Sequence, residues 1–196
     1  VPCIPVLTAL LVIGCANPPP PAAPVTPAKP VVAEPSEPTG KPLGYVECTP
    51  ERVIAVDSDQ AALLLVDAPD NWALPVFIGG TEAASIVARL HRESPPRPLT
   101  HDLLDHVLSR VHATLVQVQV DELRKSGEGG TFIGSILLRL EGGRVIRLDS
   151  RPSDAVALAI GAHVPIYVKR TVLEEAGYHW DAVQKQLQQM QSGASG

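Results

Sequence analysis

Aromatic residues are scarce in this chain: two Phe, two Trp and three Tyr among 196 residues. That argues against a platform of rings on which successive bases stack. A long basic run is also missing, and the formal net charge is −5. Nucleic-acid binders draw much of their affinity from a basic face that neutralises phosphates. Any such binding here is therefore expected to be weak and salt-sensitive. Of the three cysteines, Cys3 and Cys15 lie near the N-terminus, which leaves Cys48 alone. There is no C-x-x-C pair, which excludes a sulfur-rich zinc site. Cys48 sits in an apolar strand pattern and reads as a buried, inert thiol. The apolar segment Ile4 to Ile13 is shorter than the roughly 20 residues a membrane span needs.

Proline is abundant instead. Residues 16–43 hold ten of the chain's twenty prolines and no aromatic residue. Such a segment cannot bury enough apolar surface to offset chain entropy. It is expected to extend as a polyproline-type stalk at about 3.1 Å per residue. Ahead of it, Ile4 to Ile13 fits the apolar core of an export signal. The following Gly14-Cys15 resembles a bacterial lipoprotein processing site, although no Lys or Arg precedes the apolar run. The expected organisation is a signal peptide over 1–15, a proline-rich linker over 16–43, a globular domain over 44–178 and a Gln-rich helix or tail over 179–196. Cys15 would carry the lipid, placing the exported protein at the cell envelope on a membrane.

The globular part predicts an α+β fold, a single compact domain of mostly antiparallel strands. Tyr45–Glu47 and Val53–Val56 suggest one strand or an adjacent pair. Leu63–Val66 and Leu74–Ile78 are short apolar runs of buried strands. A helix follows to about His91, capped by Thr81, with Ala84, Val87, Ala88 and Leu90 inward. Thr100 caps a second helix, with Leu103, Leu104, Val107 and Leu108 inward. Strands over Val111–Leu123, Phe132–Leu140 and Arg144–Leu148 come next, then a helix over Ser153–Ile160, a strand over Pro165–Val168 and two further helices. The last, with Val183, Leu187 and Met190 as its stripe, is expected to dock weakly. Leu74–Ile78 before one helix echoes Val145–Leu148 before another, a loose internal duplication.

Chemistry concentrates at Leu148-Asp149-Ser150-Arg151-Pro152-Ser153-Asp154, a strand-to-helix corner in which Pro152 suits the first helical position. Asp149 to Ala155, with Pro165-Ile166-Tyr167-Val168, resembles the core signature of the bacterial and plant bifunctional nuclease domain family. Arg97-Pro98-Leu99-Thr100-His101-Asp102-Leu103 is a second match and Thr131-Phe132-Ile133-Gly134 a third, in the family's order. The resemblance implies an α+β domain that cleaves both DNA and RNA. The chain departs from the family at Ile160–His163, where an arginine often follows the helix.

Read from residue chemistry, His101, Asp102, Asp149 and Asp154 are the catalytic candidates. An imidazole exchanges protons near neutral pH. Carboxylates can hold the divalent ions of a hydrolytic nuclease, and Mg²⁺ needs few protein ligands. Asp149 and Asp154 are the candidate ligands for Mg²⁺ or Mn²⁺. Arg97 and Arg151, beside helix starts, are candidates to bind a substrate phosphate. Asp102 and Asp154 equally suit first helical turns, where the dipole favours negative charge, and an internal Arg–Asp pair would serve structure alone. Ser150 and Ser153 read as caps. Two functions stay open: a tethered nuclease acting on DNA and RNA with little sequence specificity, and a noncatalytic envelope binding or scaffold domain. Homo-oligomer formation is compatible with both.

Overall fold

Alternating apolar residues dictate the strands, and the strands join into one sheet that positions every helix start. The computed structural model describes residues 40–57, 60–126 and 129–193. The expected signal peptide, Cys15 and nearly all of the proline-rich segment lie outside the described residues. Strands β1 (Tyr45–Ala55), β2 (Gln60–Asp67) and β3 (Trp72–Gly79) lead into helices α1 (Gly80–Leu90) and α2 (Thr100–Arg110). Strands β4 (Thr114–Ser126), β5 (Gly129–Arg139) and β6 (Val145–Ser150) lead into α3 (Pro152–Ala162). The chain continues through β7 (Ile166–Lys169), α4 (Arg170–Ala176), β8 (Tyr178–His179) and α5 (Trp180–Gly193).

The fold is α+β, with the strand order β6-β5-β4-β7-β1-β2-β3-β8. Neighbouring strands are antiparallel except β4 and β7, which run parallel. Each half is a three-stranded antiparallel meander feeding a helix, β1-β2-β3-α1 and β4-β5-β6-α3. The echo between Leu74–Ile78 and Val145–Leu148 thus falls on corresponding strands, β3 and β6. β1 is one strand rather than two, and its register shifts between Pro50 and Arg52. A proline has no N–H for the ladder, so a bulge there is the economical solution.

The main core lies between the sheet and helices α1, α3 and α4, with Leu63, Leu65, Leu74, Ile86, Leu158, Val168 and Leu173 in it. Neighbouring Leu64 and Val66 instead pack on Ala73 and Trp180 in a second cluster. β2 is therefore apolar on both faces, which explains its unbroken run. Helix α3 buries Ala155 through Ala159, as a helix apolar all round must. Cys48 is buried and free, and burial, its largest influence, pushes its thiol up to about 12.

Several local expectations need correcting. In α2, Leu103, Leu104 and Val107 are exposed, and only Leu108 of the expected four packs against the core. The inward stripe is His101, Asp105 and Leu108, at i, i+4 and i+7, because buried partners on α1 claim the polar members. In α1 the buried residues are Ser85 and Ile86. Helix starts fall one or two residues early: Gly79 and Leu99 are the N-caps, not Thr81 and Thr100. Val183 and Leu187 of α5 dock on the second cluster.

Candidate active site

Helices α1, α2 and α3 start near one another, and a pocket of about 270 Å³ opens between those starts. Thr81, Glu82 and Ser85 of α1, Thr100 and His101 of α2, and Arg151 and Asp154 at the start of α3 line it. The histidine of one motif and the Arg–Asp pair of another, far apart in sequence, therefore share a cavity.

His101 is buried, 7% exposed. Its Nε2 lies 3.2 Å from Asp154 Oδ1 and its Nδ1 lies 2.9 Å from Ser85 Oγ. A carboxylate only accepts, so Nε2 carries the proton toward Asp154, and Nδ1 shares a hydrogen bond with the Ser85 hydroxyl. Ser85 is itself only 2% exposed. It fixes the imidazole and is closed off as a nucleophile, although serine, histidine and aspartate stand in a chain.

Arg151 ties the pocket's carboxylates together. Its Nε donates to Asp154 Oδ2 at 2.9 Å and its Nη2 to Glu82 Oε1 at 2.6 Å. Arg151 is nonetheless 67% exposed at the side chain, against 33% for Asp154 and 16% for Glu82. Its protonation is reinforced first by Asp154 and then by Glu82. The Glu82 carboxyl is held below its ordinary value, chiefly by the Thr81 hydroxyl and its own backbone N–H, with Arg151 adding to it. The Thr81 hydroxyl donates to Glu82 Oε2 at 2.7 Å.

The other candidates stand elsewhere. Asp102 accepts the Leu99 N–H at 2.9 Å and an Arg89 Nη2 hydrogen bond at 2.7 Å. The first of these, the return half of a capping box, is the main reason its carboxyl is held low, with Arg89 contributing. Asp149 is exposed on β6 opposite Ser135. Strand alternation puts it on the face away from Ser150 and α3. Arg97 is exposed in the loop before Leu99. Neither Asp149 nor Arg97 lines the pocket.

Sequence reading missed three contributors. Glu82 and Ser85 carry no motif; a carboxylate in the first turn of α1, after Gly79-Gly80, was the available signal. Arg89, in the last turn of α1, is 9% exposed and pairs with both Asp102 and Asp105 at 2.7 Å. Its Nη1 also donates to Ala157 O at 2.7 Å, locking α1, α2 and α3 together. A Cβ on Gly161 would lie 2.0 Å from that Nη1. At Gly161 this chain thus presents a glycine to a guanidinium from α1. Gly134, from the third motif, is a further positioning residue. A Cβ there would meet Gln119 O at 3.1 Å, Ser150 O at 3.2 Å and Pro152 Cα at 3.4 Å. Its missing side chain lets the start of α3, with Arg151 and Asp154, sit close on the sheet.

Divalent-ion chemistry can be tested against this donor set. Mg²⁺ is commonly bound by one or two carboxylates plus substrate phosphate. Glu82 and Asp154, bridged by one guanidinium, fit that requirement. Among the described residues there is no preformed group of three or more His, Cys, Asp or Glu suited to hold a metal.

Residues 63–181 match the family described as the bifunctional nuclease domain, a span running from β2 into α5 and including the whole pocket. An uncharacterized protein of Mycobacterium tuberculosis (strain H37Rv) is 39% identical over 119 residues, which cover 61% of this chain and 68% of that protein. Bifunctional nuclease 1 of Oryza sativa subsp. japonica is 25% identical over 142 residues, covering 70% of this chain and 42% of the rice protein. The Oryza minuta protein named bifunctional nuclease is similar to the same extent. This chain belongs to the bifunctional nuclease domain family.

Proposed function

We propose that the protein is a nuclease that hydrolyses phosphodiester bonds of DNA and RNA with little sequence specificity. The observation that carries this reading is the meeting of His101, Asp154 and Arg151 in one pocket. Arg151, the most exposed of the three, would bind a non-bridging phosphate oxygen with donors now shared by Glu82 and Asp154. Asp154 would accept a proton from water as its oxygen attacks phosphorus. His101, whose Nε2–H already faces Asp154, would hold that carboxylate in place, while the departing alkoxide takes a proton from solvent as the P–O bond breaks and protonated Asp154 returns its proton to solvent. Arg97, exposed in the loop before Leu99, would contact a neighbouring phosphate. Where Mg²⁺ or Mn²⁺ takes part, Glu82 and Asp154 are the residues that would hold it. The ion would supply charge neutralisation at the phosphate and a more acidic water.

A noncatalytic envelope binding domain is the second reading. The internal pairing of Arg151 with both pocket carboxylates favours it, since such a guanidinium is positioned without needing substrate. The decisive experiment digests single-stranded DNA, duplex DNA and RNA with Mg²⁺, Mn²⁺ or EDTA. Wild type is compared with His101→Ala, Asp154→Ala and Asp149→Ala. We expect Asp154→Ala to lose about 10²–10⁴-fold in rate, the usual range for a proton-transfer group, His101→Ala to lose rate as well, and Asp149→Ala to retain activity. Binding without turnover in any buffer selects the noncatalytic reading. Export and lipidation at Cys15 complete the proposal. Membrane fractionation of Cys15→Ser should then show the protein released, and unchanged attachment would refute the anchor.

A further inference from the structure

Helix α2 turns polar residues toward the protein and apolar residues toward solvent. His101 and Asp105 are held by Ser85 and Arg89 of α1. Leu103, Leu104, Val107 and Val111 are exposed instead, Leu103 and Val111 at 59%. Val111 caps the helix, yet its N–H still donates to Val107 O at 3.0 Å, so it prolongs the helical path by one position. Residues four apart share a helix face. Leu103, Val107 and Val111 therefore form one line, with Leu104 beside it. A contiguous apolar patch on a folded chain marks a surface that meets something other than water.

We propose that this stripe is a self-association surface, on which α2 of a second copy lies antiparallel about a two-fold axis at Val107. The line is symmetric about that residue: Leu103 stands four positions before it and Val111 four after. A two-fold sets one patch against itself, so Leu103 meets the second copy's Val111 and the two Val107 side chains meet on the axis. Charge selects the same occupant and the same direction. α2 carries Asp102 in its first turn and Arg110 in its last. Among the described residues no ion pair engages Arg110. Antiparallel packing brings each Arg110 toward the acidic end of the other helix and opposes the two helix dipoles, whereas parallel packing sets arginine beside arginine. A membrane surface fits less well. Helices that lie on lipid carry several Lys or Arg on their polar face, and α2 has Arg110 alone. Thr100 and His101 at the start of α2 line the candidate pocket. Pairing would therefore set two pockets at opposite ends of a seam about 16 Å long, the length of an 11-residue helix. The interface stands without the nuclease reading; where that reading holds, one strand reaching both pockets gains avidity.

The test uses the full chain with Cys15→Ser, which keeps the proposed lipid out of the measured mass. An interface with so small an apolar centre is of the weak class, so sedimentation equilibrium runs from about 1 to 200 μM, the range that brackets micromolar association. The mass should rise with concentration toward twice the 20.8 kDa of one chain. Val107→Arg places two like charges together on the axis and should weaken association at least about 30-fold, the scale of a central contact. Val107 is exposed, so this variant spares the core. Phe77→Ser, at an exposed residue of the apolar groove beside α5, should associate as the parent does. Direction is read by disulfide formation in chains that also carry Cys3→Ser and Cys15→Ser, with Cys48 buried. Leu103→Cys mixed with Val111→Cys should cross-link under mild oxidation, and neither should cross-link alone. A parent that stays monomeric throughout overturns the proposal, as does association that survives Val107→Arg or is lost in Phe77→Ser. Leu103→Cys cross-linking to itself overturns the antiparallel arrangement. Binding of the monomer to phosphatidylglycerol vesicles, lost in Val107→Arg, would give the face to a membrane instead.

Discussion

At the scale of single residues, Asp102 shows how one carboxylate can belong to the motif and not to the pocket. Its oxygens are taken by the Leu99 N–H and by Arg89, which leaves it holding α2 in place. Because its carboxyl is held below the ordinary value, the folded state binds its proton less readily than the unfolded chain does. Its stabilisation is therefore fully present above the unfolded value near 3.9 and is lost as pH falls through the lowered folded one. Thermal unfolding of wild type and Asp102→Asn should differ by a constant amount above about pH 5 and converge below about pH 4. A difference that persists unchanged into strong acid would contradict the assignment. The same residue marks the limit of sequence reading. His101, Arg151 and Asp154 were legible because each lies in a short polar motif at a helix start. Glu82, Ser85 and Arg89 were not, because they reach the site only through packing of α1 on α2 and α3. Asp149 was singled out by its neighbours in sequence, yet one step along a strand turns a side chain to the other face.

Among the elements, α3 is the one on which the pocket depends. Pro152 begins it, small residues let it sink into the core, and Gly134 lets its first turn approach the sheet. The obstacles to a Cβ at Gly134 are all backbone atoms of β4, β6 and α3, so no flexible side chain can yield. Gly134→Ala should lower stability by about 1–3 kcal/mol, the usual cost of overpacking, read from its urea midpoint. Under the proposed nuclease function it should also reduce turnover by shifting Arg151 and Asp154. Unchanged or increased stability would show that the close approach carries no strain. Periodicity placed α3 and most strands correctly, since buried strands and an all-apolar helix have strong patterns. It misjudged α2, where Leu103, Leu104 and Val107 formed the stronger apolar stripe. Ion pairs from Arg89 to Asp102 and Asp105, with the buried His101, turned the helix the other way.

For the molecule as a whole, charge limits how a nucleic-acid strand would be held under the proposed function. The α+β class followed from element order, but the insertion of β7 between β4 and β1 did not, because strand neighbours across a crossover leave no local pattern. That insertion joins the two meanders into one sheet and brings the starts of α1, α2 and α3 together. The same packing pairs off the cations: Arg89, Arg124, Lys125, Arg147, Arg151 and Arg170 each face a carboxylate. With a net charge of −5 and these cations already paired, the proposed nucleic-acid affinity would come from a small number of phosphate contacts. If Arg151 and Arg97 supply them, each neutralised phosphate on a single strand contributes a salt slope of about −0.7, so log K against log salt should fall with a slope near −1.4. Fluorescence anisotropy of a labelled single strand across a salt series measures it. Arg151→Gln should remove about half the slope. A wild-type slope steeper than about −3 would require several more phosphate contacts, and with them a basic surface built from residues outside this pocket.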